Sequence, residues 1–180
     1  MSPQHRDGRL VLHGYTIAMN TRMGNRNDVV VLGNRNPTMA TVISTLALAG
    51  ISHISGTVRL EDTVEDACTA WNGIANKYLI DATTLVLANG SFWVHAGLVV
   101  PMMEWIAGRH RTLIVSVPAE VDPAHTASVM YMTADRFNCL RRVQIFQAPQ
   151  HVSTPVLRAN NAGEGLRLNG WQRIPSHGHA

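Results

Sequence analysis

The stretch DVVVLGNRNPTMATVISTLALAGISHISGTVRL, residues 28–60, decides the fold. Asp28 to Gly33 is a β-branched apolar run closed by glycine, the pattern of a parallel strand buried on both faces. Asn36-Pro37 then supplies an N-cap and a proline at the first helical position. Between Pro37 and Ala49 the groups of Ala40, Ile43, Leu46 and Ala47 share one helical face, and Gly50 provides the stop. Ile51 to Leu60 returns to strand character. A strand, a helix and a second strand within about thirty residues form one crossover unit, and its right-handedness makes the strands parallel.

Working outward, Arg9 to His13 reads as a short strand and Thr21 to Asn27 as a polar turn. Glu61 to Asn76 reads as a helix broken at Trp71-Asn72-Gly73. Thr83 to Ala88 and Thr112 to Val117 repeat the buried-strand pattern, the second closed by Pro118. Ser91 to Gly108 reads as helix, with Pro101 kinking it or starting its second half. Ala127 to Met132 is expected as an additional strand and Asp135 to Gln147 as a closing helix. From Gln150 onward the chain is rich in Pro, Asn, Gly and His without periodicity. Alternating strands and helices predict an α/β, Rossmann-like single domain, its mostly parallel sheet covered by helices on both faces. The expected division is a strand and loop over 1–27, the Rossmann-like unit over 28–150, and a loosely ordered tail over 151–180.

Composition narrows the function. With 46% apolar and 15% charged residues the chain is neither disordered nor coiled coil. No apolar run approaches the ~20 residues of a membrane span, and MSPQHRDGR has no signal-peptide core, so a cytoplasmic protein is expected. The net charge is +3, but the 15 Lys and Arg residues are scattered and the densest cluster is Arg109-His110-Arg111. Without interleaved aromatics this favours a solvated basic surface over a nucleic-acid groove. Cys68 and Cys139 are too far apart in sequence for a zinc pair and read as reduced thiols in or near the core. Nine histidines are dispersed, and only His177-x-His179 forms a local pair, so no metal site is expected.

In folds of this kind the turn after the first strand holds a pyrophosphate through G-x-G-x-x-G. Here the turn is Gly33-Asn34-Arg35-Asn36-Pro37-Thr38, and Arg35 and Thr38 stand where the second and third glycines belong. Arg35 offers a guanidinium to a phosphate but adds bulk where backbone must approach. Glu61 and Asp62 lie near the position of a ribose-binding carboxylate, and they also suit the first turn of a helix. Gly33, Arg35 and Asp62 are therefore the candidate cofactor-binding residues if a nucleotide binds; the expectation is no cofactor and no catalytic residue.

The run VVVLGNRNPTMATVISTLALAGISHISGTVRLEDTVEDA, with its Ala49-Gly50-Ile51-Ser52-His53 step, resembles the opening of ThiF-type, ubiquitin-activating-enzyme-like domains. It is most similar to their divergent bacterial relatives in thiazole/oxazole peptide cyclodehydratase systems. Thr83 to Val117 is similar to a later segment of the family, and Cys139-Leu140-Arg141-Arg142 to its zinc half-site. The resemblance covers about residues 28 to 150 and implies a nucleotide-binding fold that pairs through sheets and helices.

The departures from that family decide the expected function. Two of the turn's glycines are missing. Only seven residues separate Gly73 from Asp81, where the family inserts a helix and strand carrying its catalytic cations; Lys77 is the only lysine. Arg142 replaces the second thiolate of the zinc half-site, and a tetrahedral zinc needs four N or S ligands. These departures imply a non-catalytic ThiF-like domain acting as a binding or scaffold subunit, homodimeric, with a further protein or peptide partner. Phe92, Trp93, Met102, Met103, Trp105 and Ile106 are the groups expected at the pairing surface. Burial of the same helix on two sides within one chain explains them equally well. The alternative is a nucleotide-dependent enzyme, ATP-dependent and adenylating or NAD(P)-linked, with an atypical phosphate turn.

Overall fold

The computed structural model describes residues 82–150 and 170–176 continuously, and before them 4–6, 9–12, 15–18, 29–33, 44–45, 48, 56–59, 71–73, 75–76 and 79–80. For 4–6, 9–12, 15–18, 33 and 56–59 the description is of backbone alone. The first strands, β1 (Gln4–Arg6), β2 (Arg9–Leu12) and β3 (Tyr15–Ala18), form a small antiparallel sheet. The main sheet holds β4 (Val29–Gly33), β5 (Gly56–Arg59), β6 (Thr84–Leu87), β7 (Thr112–Val117), β8 (Val143–Gln147) and β9 (Gln172–Ile174). Their order is β5-β4-β6-β7-β8-β9, parallel throughout except for antiparallel β9 at the edge. The chain is thus an α/β protein with a mostly parallel sheet.

The parallel strands β4, β6 and β7 are apolar on both faces, as a sheet covered by crossovers on either side requires. Leu32, Leu85, Leu87, Leu113 and Val115 point into one core with Trp93, Met102, Met103, Ile106 and Met130. Val31, Val86 and Ile114 point the opposite way, into a second cluster with Phe146. Helices α1 (Gly90–His95), α2 (Val99–Gly108) and α3 (Pro123–Arg136) all contribute to the first core. Leu48, itself helical, packs against the second.

The helical run from 90 to 108 breaks at Gly97, whose φ of +74° suits glycine. The amide of Gly97 donates to Val94 O and that of Leu98 to Trp93 O, closing α1 before α2 begins. Pro101 falls in the first turn of α2, where its missing N–H leaves no bond unmade.

Three local expectations are corrected. Residues 71–73, 75 and 76 are themselves helical, where a break was expected at Trp71-Asn72-Gly73, while 61–70 and 74 lie outside the described residues; Trp71 is buried in the first core. Ala127 to Met132 is the middle of α3, not a strand. Asp122 caps that helix by accepting from Ala124 N at 3.0 Å, Pro123 opens it, and Ala127, Met130, Tyr131 and Ala134 form its buried stripe. Asp135 to Gln147 is not a helix. Asn138 takes φ +57° beyond α3, a single 3-10 turn (Leu140–Arg142) follows, and Val143–Gln147 enters the sheet as β8.

Residues 151–169 and 177–180 of the expected tail, the turn at 21–27 and most of the expected helix over 37–49 lie outside the described residues. Within the tail, Gln172–Ile174 pairs with β8, and the Tyr131 hydroxyl donates to Ile174 O, tying that edge strand to α3. Burial pushes the Tyr131 phenol above its usual value.

Gly90 sets how closely α1 sits on the sheet. A Cβ there would lie 2.4 Å from Val115 Cγ1 and 3.3 Å from Thr126 Cγ2, whereas one on Gly108 would meet nothing within 4 Å. Val115 is β-branched and fully buried, so it cannot step aside. Gly90→Ala is expected to destabilise by about 1–3 kcal/mol despite alanine's higher helix propensity. Gly108→Ala is expected to be neutral or slightly stabilising. Urea midpoints of the two variants check this, and equal shifts would contradict the packing argument.

Candidate functional site

The strand order places a topological switch point between β4 and β6. The chain leaves β4 toward β5 on one side, and β6 takes the other side of β4, so a crevice opens at their carboxyl ends. Leu32 pairs with Leu87, and Ala88 N donates to Leu32 O at 3.0 Å, so Gly33 and Asn89 stand where the two chains part. Of the candidate cofactor-binding residues, Gly33 is therefore at the switch point, as the last residue of β4. Arg35 and Asp62 lie outside the described residues, as does Cys68.

Two exits from the sheet flank this crevice. Beyond β6 the chain reads Ala88-Asn89-Gly90-Ser91, and the Ser91 hydroxyl donates to Asn89 Oδ1 at 2.9 Å. Beyond β7 the loop through Pro118 to Val121 is pinned by Gln147 of β8. Its Nε2 donates to Val121 O at 2.8 Å and to Ala119 O at 3.3 Å. The ionisable groups of these two exits are Glu120, Asp122 and His125, all exposed, and Asp122 is engaged as the cap of α3. What faces the crevice from β6 is an amide and a hydroxyl, groups that orient a ligand by hydrogen bonds but supply no acid, base or charged nucleophile.

The segment similar to a zinc half-site has a structural role. Cys139 is a buried free thiol whose pKa is raised by burial, against the opposing pull of Arg142. Arg142 Nη1 donates to Ile106 O at 2.9 Å, so this guanidinium closes the end of α2. Among the described residues no three His, Cys, Asp or Glu side chains gather as metal ligands do.

The groups expected at a pairing surface are spent inside the chain. Trp93, Met102, Met103 and Ile106 are fully buried in the first core, with Phe92 and Trp105 half-buried against it. The break at Gly97 divides the run into two short helices, both of which contribute to the first core.

Sequence reasoning missed the most constrained polar residue, Arg111. It is buried, and its Nε donates to Ala82 O at 3.0 Å, Nη1 to Trp105 O at 3.2 Å and Nη2 to Ile80 O at 3.2 Å. Its guanidinium lies 4.0 Å from the centre of the Trp105 ring. One side chain thus joins the approach to β6, the end of α2 and the start of β7. The signal available was an arginine directly before a buried strand, six residues after a tryptophan.

The chain matches no family model, no curated protein and no solved structure.

Arg111→Met retains most of the volume but strips three carbonyls of their donor. A loss of about 2–4 kcal/mol is expected, and Arg111→Lys is expected to recover less than half, because one ammonium cannot reach three diverging carbonyls. Denaturant midpoints check both; full stability of the lysine variant would contradict the role given to the fork.

Proposed function

We propose that the chain is a single Rossmann-like domain, similar to ThiF-type domains, without catalytic activity of its own. It acts in the cytoplasm as a binding or scaffold subunit, paired as a homodimer and serving a protein or peptide partner. The observation that carries this reading is the chemistry of the β6 and β7 exits beside the switch point. An amide and a hydroxyl bonded to each other at the β6 exit, beside a β7 loop pinned by Gln147, form a rim suited to holding a ligand rather than transforming one. For pairing, the outer faces of α2 and α3 remain. They carry Val100 and Met132, exposed at 44% and 52%.

A second reading keeps nucleotide chemistry, ATP-dependent adenylation or an NAD(P)-linked reaction, with Gly33, Arg35 and Asp62 as the binding residues. Gly33 favours it by standing at the switch point, where doubly wound sheets bind their ligands.

Two measurements separate these readings. Titration with ATP, NAD and NADP is expected to give no dissociation constant below about 100 μM, since 100-fold excess over a real site would add ~2.7 kcal/mol of stability. Micromolar binding would replace the scaffold with the second reading. Light scattering is expected to give twice the 19.7 kDa chain mass, and a monomer would overturn the pairing.

A further inference from the structure

Two segments far apart in sequence meet at the amino ends of β7 and β8. Leu113 pairs with Val143, so the turns that feed these strands start on adjacent strands, ~4.8 Å apart. Both converge on one carbonyl: Ile106 O accepts from Arg111 N at 3.1 Å and from Arg142 Nη1 at 2.9 Å. Arg111 and Arg142 thereby close the end of α2, where cations offset the helix dipole.

The remaining cations at this rim have no such task. Arg109, Arg136 and Arg141 are exposed, as is His110. Arg109 makes one long contact, 3.5 Å to Ile80 O; Arg136 and Arg141 make no hydrogen bond or ion pair among the described residues. Among the described residues, the carboxylates of the adjoining helices are Glu104 and Asp135, two against five arginines, while the sequence sets Asp28 and Asp81, outside those residues, just before β4 and β6. Positive charges within a Debye length of one another, about 10 Å at 0.1 M salt, reinforce one another.

Against the expectation of a merely solvated basic surface, we propose that this amino-end rim, through Arg109, Arg136 and Arg141, docks the phosphate backbone of duplex nucleic acid without reading its sequence. The exposed cations are all arginines, whose planar forks match phosphate oxygens in pairs. The aromatics of the described rim, Trp105 and Phe137, are half-buried against the core, and Arg111 stacks on the Trp105 ring, which favours a duplex over a single strand. An anionic membrane would attract the same charges by about 1 kcal/mol per arginine, but among the described residues the rim exposes one large apolar group, Ile80, to insert beside them. The site lies at the opposite end of the sheet from the switch point and stands independently of the scaffold reading.

The test is fluorescence anisotropy of a labelled ~20-bp DNA duplex against salt, starting near about 50 mM. Each phosphate neutralised contributes about 0.9 to the log–log slope, so three arginines predict a slope near ~−3. The double variant Arg109→Gln with Arg141→Gln leaves Arg111 and Arg142 in place. It is expected to keep its melting temperature, lose about two units of slope and bind at least ~10-fold more weakly at low salt. Arg173→Gln, a charge removed from exposed β9, is expected to change neither. No binding at low salt, equal binding by the double variant, or tighter binding to phosphatidylserine vesicles than to the duplex would each overturn the proposal.

Discussion

Strands β6 and β7 present apolar side chains to both faces of the sheet, and such strands are stable only when both faces are covered. Much of the described architecture answers that requirement. The first face receives α1, α2 and α3, with Trp93, Met102, Met103, Ile106 and Met130 all fully buried. To reach that face with two helices in nineteen residues, the chain breaks at Gly97. To bring α1 close enough, it places Gly90 against Val115. The second face is served by a smaller cluster, Val31, Val86, Ile114 and Phe146, with Leu48 and Trp171 against it.

How much of this the sequence disclosed depended on whether local pattern and tertiary role agreed. VVVLG, TLVL and TLIVSV announce buried strands because doubly covered strands need little besides β-branched and aliphatic residues. Residues 127–132 misled because Val129 and Tyr131 favour strands, while the buried stripe Ala127, Met130, Tyr131 and Ala134 follows a helical period set by the Asp122-Pro123 start. The strand VQIFQ was hidden by its neighbours: a left-handed Asn138 and a short 3-10 turn reset the chain just before it. At the candidate site, Gly33 was legible from its place after a buried strand. Arg111 was not, because an arginine within Arg109-His110-Arg111 reads as surface until the carbonyls of Ile80, Ala82 and Trp105 are seen around it.

The two ends of the sheet differ in chemistry. The carboxyl end, beside the switch point, presents Asn89 and Ser91 and a loop held by Gln147, with Glu120, Asp122 and His125 the exposed ionisable groups of the two exits. Among the described residues the amino end is cationic, and it is built around Arg111 and Arg142, whose hydrogen bonds hold α2 to the sheet. An arginine bound to backbone carbonyls is a structural element whose charge remains, so the same residues that close α2 also leave that rim positive.

The account rests on β6 and β7 being covered from both sides, and amide hydrogen exchange tests this most directly. The amides of Leu85–Leu87 and Leu113–Val117 are expected to exchange only through global unfolding, while those of Gln172–Ile174 at the sheet edge exchange sooner. Exchange of the β7 amides as early as those of β9 would mean that the centre of the sheet is not doubly covered, and the account would fail.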